Sequence, residues 1–106
     1  MGIFDFLKSA DINKQVEEYR SIQDAMLLDV RTLQEYREGH IPGSVNIPLQ
    51  SIAKGEVPSD NKDAQIIVYC HSGSRSRRAV SILKSMGYSK AKNIGGIAAY
   101  RGKVER

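Results

Sequence analysis

The chain has one cysteine, no tryptophan and only two histidines among its 106 residues. A single cysteine cannot close an internal disulfide, which excludes a disulfide-stapled secreted scaffold and makes a reducing, cytoplasmic setting the expectation. One cysteine and two histidines also lack the ligand spacing of a zinc site, and no metal site is expected. No apolar run approaches the ~18 residues of a membrane span. The start, Met1 to Lys8, lacks the basic residues and apolar stretch of a signal peptide, and its Met-Gly opening does not fit the myristoylation pattern. Neither a membrane nor a nucleic acid is an expected partner. The net charge of +4 is spread along the chain apart from Arg75, Arg77 and Arg78, and no aromatic residues alternate with the basic ones to make a stacking surface. What is present is ordinary globular composition, 41% hydrophobic and 26% charged, in a length that suits one domain over residues 1–106.

Hydrophobic periodicity and turn residues divide the chain into alternating strands and helices. Asp11 to Arg20 is a predicted helix with Asp11 as N-cap and Ile12, Val16 and Tyr19 on one face. Met26 to Val30 is an apolar run broken by Asp29, as in a buried strand. Thr32 and Glu35 have the spacing of a capping box, opening a helix that Gly39 can close. His40-Ile41-Pro42-Gly43 is turn chemistry before a short strand at Val45 to Ile47, followed by a short helix at Gln50 to Ala53 and a polar loop from Lys54 to Asp63. Gln65 to Tyr69 is the clearest strand, and it ends at Cys70. Ala79, Ile82, Leu83 and Met86 then repeat at helical spacing, with Gly87 placed to cap the end, and a last strand runs from Ala91 to Ile94 into Gly95-Gly96. This alternation implies an α/β fold: a central, mostly parallel sheet with helices on both faces.

In such a sheet reactive groups collect at the carboxyl ends of strands, where Cys70 stands. The segment His71-Ser72-Gly73-Ser74-Arg75 after it is small and polar and leads into a helix. Successive backbone N–H groups can converge there on one anion, and the helix N-terminus adds partial positive charge. Gly73 supplies a backbone conformation that a side chain would obstruct. Arg75 puts a permanent cation nearby, able to grip an oxyanion in a fork. A thiol so placed has a lowered pKa and supplies more thiolate, whereas a buried structural cysteine would need a more apolar neighbourhood than two serines, a glycine and an arginine. Four residues separate Cys70 from Arg75. The cysteine-dependent phosphatase pattern has five, and the shorter ring suits a single sulfur atom better than a tetrahedral phosphate.

Four stretches in order make a specific pattern: Leu28-Asp29-Val30-Arg31 with Glu35-Tyr36, Gly39 to Pro48, Val68 to Ser76, and Gly95-Gly96. From about Met26 to Gly102 the chain resembles a single-domain rhodanese, a family of sulfurtransferases that move sulfane sulfur through a cysteine persulfide. Where that family often has tryptophan after the glycine pair, this chain has Tyr100, an aromatic exchange expected to alter packing only. The resemblance implies a rhodanese-like α/β fold, no cofactor, and Cys70 as nucleophile. It also places Asp29 and Arg31 near the active loop, as an ion pair able to support its geometry by hydrogen bonds.

His40 is read as fixing the turn rather than as a general base, and His71 as solvent-exposed. Ser74 and Ser76 are read as helix caps. The expected activity is ping-pong sulfur transfer. Cys70 takes sulfur from thiosulfate or another sulfane-sulfur donor, the loop N–H groups of His71 to Arg75 hold the persulfide, and a thiol, cyanide or a protein acceptor removes it. With no second cysteine, the sulfur passes directly to another molecule. Two rivals stand beside this: a sulfur-carrier or sensing module with little turnover, and a small phosphatase or arsenate reductase, which the short loop and the missing resolving cysteine disfavour.

Overall fold

Helix α1 (Ile12–Arg20) begins on Asp11, whose side chain accepts the Asn13 N–H, in a computed structural model that describes residues 11–106. The expectations for Met1 to Lys8 lie outside the described residues. Strand β1 (Met26–Asp29) follows, then α2 (Leu33–Glu38), β2 (Ser44–Asn46), α3 (Leu49–Ala53), β3 (Ile66–Cys70), α4 (Ser74–Ser85) and β4 (Ala91–Gly96), which runs into a 3-10 turn at Ile97–Ala99. The four strands form one parallel sheet in the order β2-β1-β3-β4. Among the described residues, no helix is long and apolar enough to cross a membrane.

The predicted boundary residues operate as expected. Thr32 and Glu35 form a reciprocal capping box at the start of α2, and the Gly39 N–H closes that helix on the Tyr36 carbonyl. At the far end of α4, Gly87 adopts φ +104° and lets the Tyr88 N–H reach back to the Leu83 carbonyl, a Schellman arrangement. Strand ends differ by one residue from expectation. Val30 and Ile47 fall just outside the strands, although their N–H groups still bond to Tyr69 and Asp29 on neighbouring strands.

Strand β3 is buried along its whole length between β1 and β4, and its period-2 alternation sorts side chains onto two faces. Ile66, Val68 and Cys70 join Ile52, Ala79 and Leu83 under α3 and α4. Ile67 and Tyr69 join Ile12 and Val16 under α1, where Tyr100 also packs, so an aromatic ring still serves the core at that position. Both faces are covered, as the run of β-branched residues in β3 requires. The parity decides function as well: Cys70 points toward the first turn of α4.

Between β3 and β4 the register slips once, since Val68 pairs with Asn93 but Tyr69 with Gly95. The bulge brings Gly95 and Gly96 beside Tyr69 and Cys70. Strand β4 thereby ends against the segment that follows Cys70.

Candidate active site

Cys70 exposes none of its surface, and its sulfur sits inside a ring of donors. The Gly73 N–H donates to Sγ at 3.0 Å, and the Ser76 hydroxyl lies 3.4 Å away. Burial pushes the thiol pKa up. The Ser76 hydroxyl and the N–H groups of Ser76, Gly73 and Ser72 pull it down, and together they win, so the thiol lies below its ordinary value. The donors are mainly backbone groups of the loop and the first turn of α4.

Gly73 makes this possible by adopting φ +108°, and it stands at the N-cap of α4 without any side-chain cap. Ser74 and Ser76 therefore do not cap the helix as expected. Ser74 is its first residue, and Ser76 is fully buried beneath it. The Ser76 hydroxyl has a second partner in Asn93 Oδ1 at 2.7 Å. Asn93 in turn accepts the Gly95 N–H and donates to the Gly73 carbonyl, tying the loop to the bulged end of β4. His71 and Ser72 are exposed, and the His71 carbonyl accepts the Ala98 N–H at 3.0 Å.

Gly96 is the tightest point of this packing. A Cβ there would overlap the His71 carbonyl and the Ser72 Cα, both backbone. Gly96→Ala is expected to displace the loop at a cost of about 1–3 kcal/mol. The denaturation midpoint should fall while alkylation of Cys70, which exposes 0% of its surface in the native packing, quickens as the loop opens; an unchanged alkylation rate would show that the loop does not depend on this contact.

Arg75 departs from expectation. Its fork is already filled, because Nη1 and Nη2 donate to Glu35 Oε1 and Oε2 at 2.7 and 3.0 Å. These bonds draw the Glu35 carboxyl down to about 2, against burial and with help from Thr32. A depressed folded pKa contributes stability that is fully present above the ordinary value of 4.5 and is lost as pH falls toward about 2. Wild-type protein should therefore lose stability more steeply across that interval than Glu35→Gln, which has no such proton to take up. Parallel acid titrations of the denaturation midpoint would refute the linkage.

Asp29 and Arg31 also need correction. They form the expected ion pair, at 2.8 Å and almost fully buried, but their hydrogen bonds run to each other and to the Gly39 carbonyl. The reason is parity: Leu28 and Val30 lie on the Cys70 face, which turns Asp29 to the other. There the pair steadies the Gly39 to Ser44 turn, with Arg31 5.8 Å over the Tyr69 ring and the Tyr69 hydroxyl accepting the Ile41 N–H. His40 belongs to the same turn. Its ring stacks on Tyr36 at 3.7 Å, and its backbone pairs both ways with Glu105.

Two contributors, Asn93 and the Glu35 link to Arg75, are absent from the sequence-based expectations, and a third, Ser76, enters them only as a cap. Ser76 is detectable in principle, since it precedes Ala79 and Leu83 at the inward spacing of i, i+3 and i+7. Asn93 and the Glu35 link to Arg75 carry no local signal. Forty residues separate the members of that ion pair.

Known proteins share sequence and overall fold with this chain. Over 80 residues the chain is 40% identical to a Bacillus subtilis protein named as a candidate sulfur carrier, covering 74% of this chain but 43% of that protein. It is 37% identical over 81 residues to a sulfurtransferase of Allochromatium vinosum, covering 74% of this chain and 73% of the relative. Among solved structures, a rhodanese with anions from E. coli superposes with a TM-score of 0.65 at 34% identity, over 77% of this chain and 98% of the other. The chain spans less than half of the Bacillus relative. With residues 12–103 matching the rhodanese-like domain, this chain belongs to that family.

Proposed function

We propose that the protein is a sulfurtransferase that carries sulfane sulfur as a persulfide on Cys70. The observation that carries this reading is the Gly73 N–H donating to Sγ at 3.0 Å at the start of α4, with the Ser76 hydroxyl 3.4 Å away. Donors and helix N-terminal charge that favour a thiolate at Sγ also favour the anionic outer sulfur of a persulfide built on it. Four residues separate Cys70 from Arg75, one fewer than in the cysteine-dependent phosphatase pattern, which favours a single sulfur atom over a phosphoryl group. In the first half-reaction the Cys70 thiolate attacks the outer sulfur of thiosulfate or a related donor. The donor S–S bond breaks, and sulfite leaves with the electron pair. In the second, a thiol or cyanide attacks the terminal sulfur and releases the Cys70 thiolate.

Incubation with a sulfane donor followed by intact-mass measurement tests the first step. One added sulfur atom, removed again by cyanide, is the expected result. No adduct with any sulfane donor, together with hydrolysis of an aryl phosphate, would overturn it. The carrier reading draws support from the name of the Bacillus relative and from the filled Arg75 fork. A loaded protein that discharges to a protein thiol but turns over poorly with cyanide would favour it.

A further inference from the structure

The loop cation is neutralised before any substrate arrives. Arg75 is held by Glu35, and Arg31, which also feels Glu35, is held by Asp29. Two ion pairs leave these four side chains with no net charge, in a chain whose total is +4. Beside Arg75 opens a pocket of about 180 Å³ whose other walls are Val30, Thr32, Pro48, Leu49 and Gln50. Three of those five residues are apolar. Thiosulfate is a small dianion with no carbon to place there. An alkyl persulfide has less charge and an organic body.

We propose that Glu35 is a specificity-determining residue, which by occupying the Arg75 fork turns the site from dianionic donors toward organic persulfides. This rests on the sulfurtransferase reading and names its donor class. The step balances as before: the Cys70 thiolate attacks the outer sulfur of R–S–SH, the donor S–S bond breaks, and R–S⁻ leaves while sulfur and proton remain on Cys70. Glu35 takes no part in that bond exchange. It acts through Arg75, by removing the charge and the paired donors that a dianion needs.

The test compares Glu35→Gln with the wild type. Glutamine still satisfies the capping box with Thr32, so α2 keeps its start. The donors are thiosulfate and the hydropersulfide of N-acetylcysteine methyl ester, and the readout is kcat/KM for loading Cys70. Wild-type protein is expected to prefer the alkyl persulfide. Removing one negative charge about 6 Å from a dianion in water-like surroundings is worth a factor of about ten. Thiosulfate kcat/KM should rise by about tenfold in the variant, while the alkyl persulfide, at most a monoanion, gains no more than about threefold. The gain should lie in KM and should shrink with added salt. Equal acceleration with both donors would show that Glu35 only latches the loop, and would overturn the proposal. So would a wild-type preference for thiosulfate, or no change in either rate. Absence of a Cys70 adduct with both donors would instead overturn the sulfurtransferase reading beneath it.

Discussion

Cys70→Ser is expected to abolish sulfur loading, lowering transfer by on the order of a thousandfold or more while the protein stays folded. Serine is close in size, and the same Gly73 and Ser76 donors can bond its oxygen. Its hydroxyl, however, ionises far too weakly at neutral pH to attack sulfur, and a ring built from N–H donors contains no base to activate it. Cys70 is the one cysteine in the chain, so no neighbour can substitute. Intact mass after donor treatment should show no adduct, and the denaturation midpoint should remain near that of the wild type. A residual adduct in the variant would move the reaction away from Cys70. A collapse of stability would make the cysteine a packing residue first.

The second large effect concerns stability. Arg31→Met is expected to destabilise the fold by about 3–5 kcal/mol, because it strands the Asp29 carboxylate, which exposes 0% of its surface. Methionine keeps much of the length of the arginine stem, so lost volume contributes little. The Gly39 carbonyl also loses its guanidinium donor, which loosens the turn that His40 and Tyr69 help to hold. In a domain of this size the midpoint of thermal unfolding should drop by roughly 15 °C or more. The discriminating variant is Asp29→Leu with Arg31→Met. With both charges gone, the double variant should recover a substantial part of the loss, since no unpaired ion remains buried. A double variant no better than the single one would show that the pair matters for its hydrogen bonds to the turn rather than for mutual neutralisation.

Local rules make much of the fold legible in the amino-acid sequence. Asp11, the capping box of Thr32 and Glu35, and Gly87 each mark an element boundary through groups within a few residues of one another, and each acts where those rules place it. The apolar run Ile66 to Tyr69 implies a buried central strand, which puts Cys70 at a carboxyl end facing a helix N-terminus. What local rules miss is partnership across the sheet. Arg75 reads as a free cation because nothing near it in sequence opposes it, while its carboxylate arrives from α2. Resemblance places Asp29 beside the active loop, although counting from Leu28 assigns it to the opposite face. Ser76 reads as a cap because serine near the start of a helix often is one. Its register with Ala79 and Leu83 is the stronger signal.

The complete burial of Cys70 has a further consequence, for damage rather than for turnover. Oxidation to sulfenic and then irreversible sulfinic acid follows two properties, thiolate character and exposure. In this protein they are opposed. The donor ring raises the first, and the packing of the loop against Gly96 denies the second. A sulfur biased toward the thiolate but covered is shielded from peroxide in bulk water, and yields only to a reagent that can enter the loop.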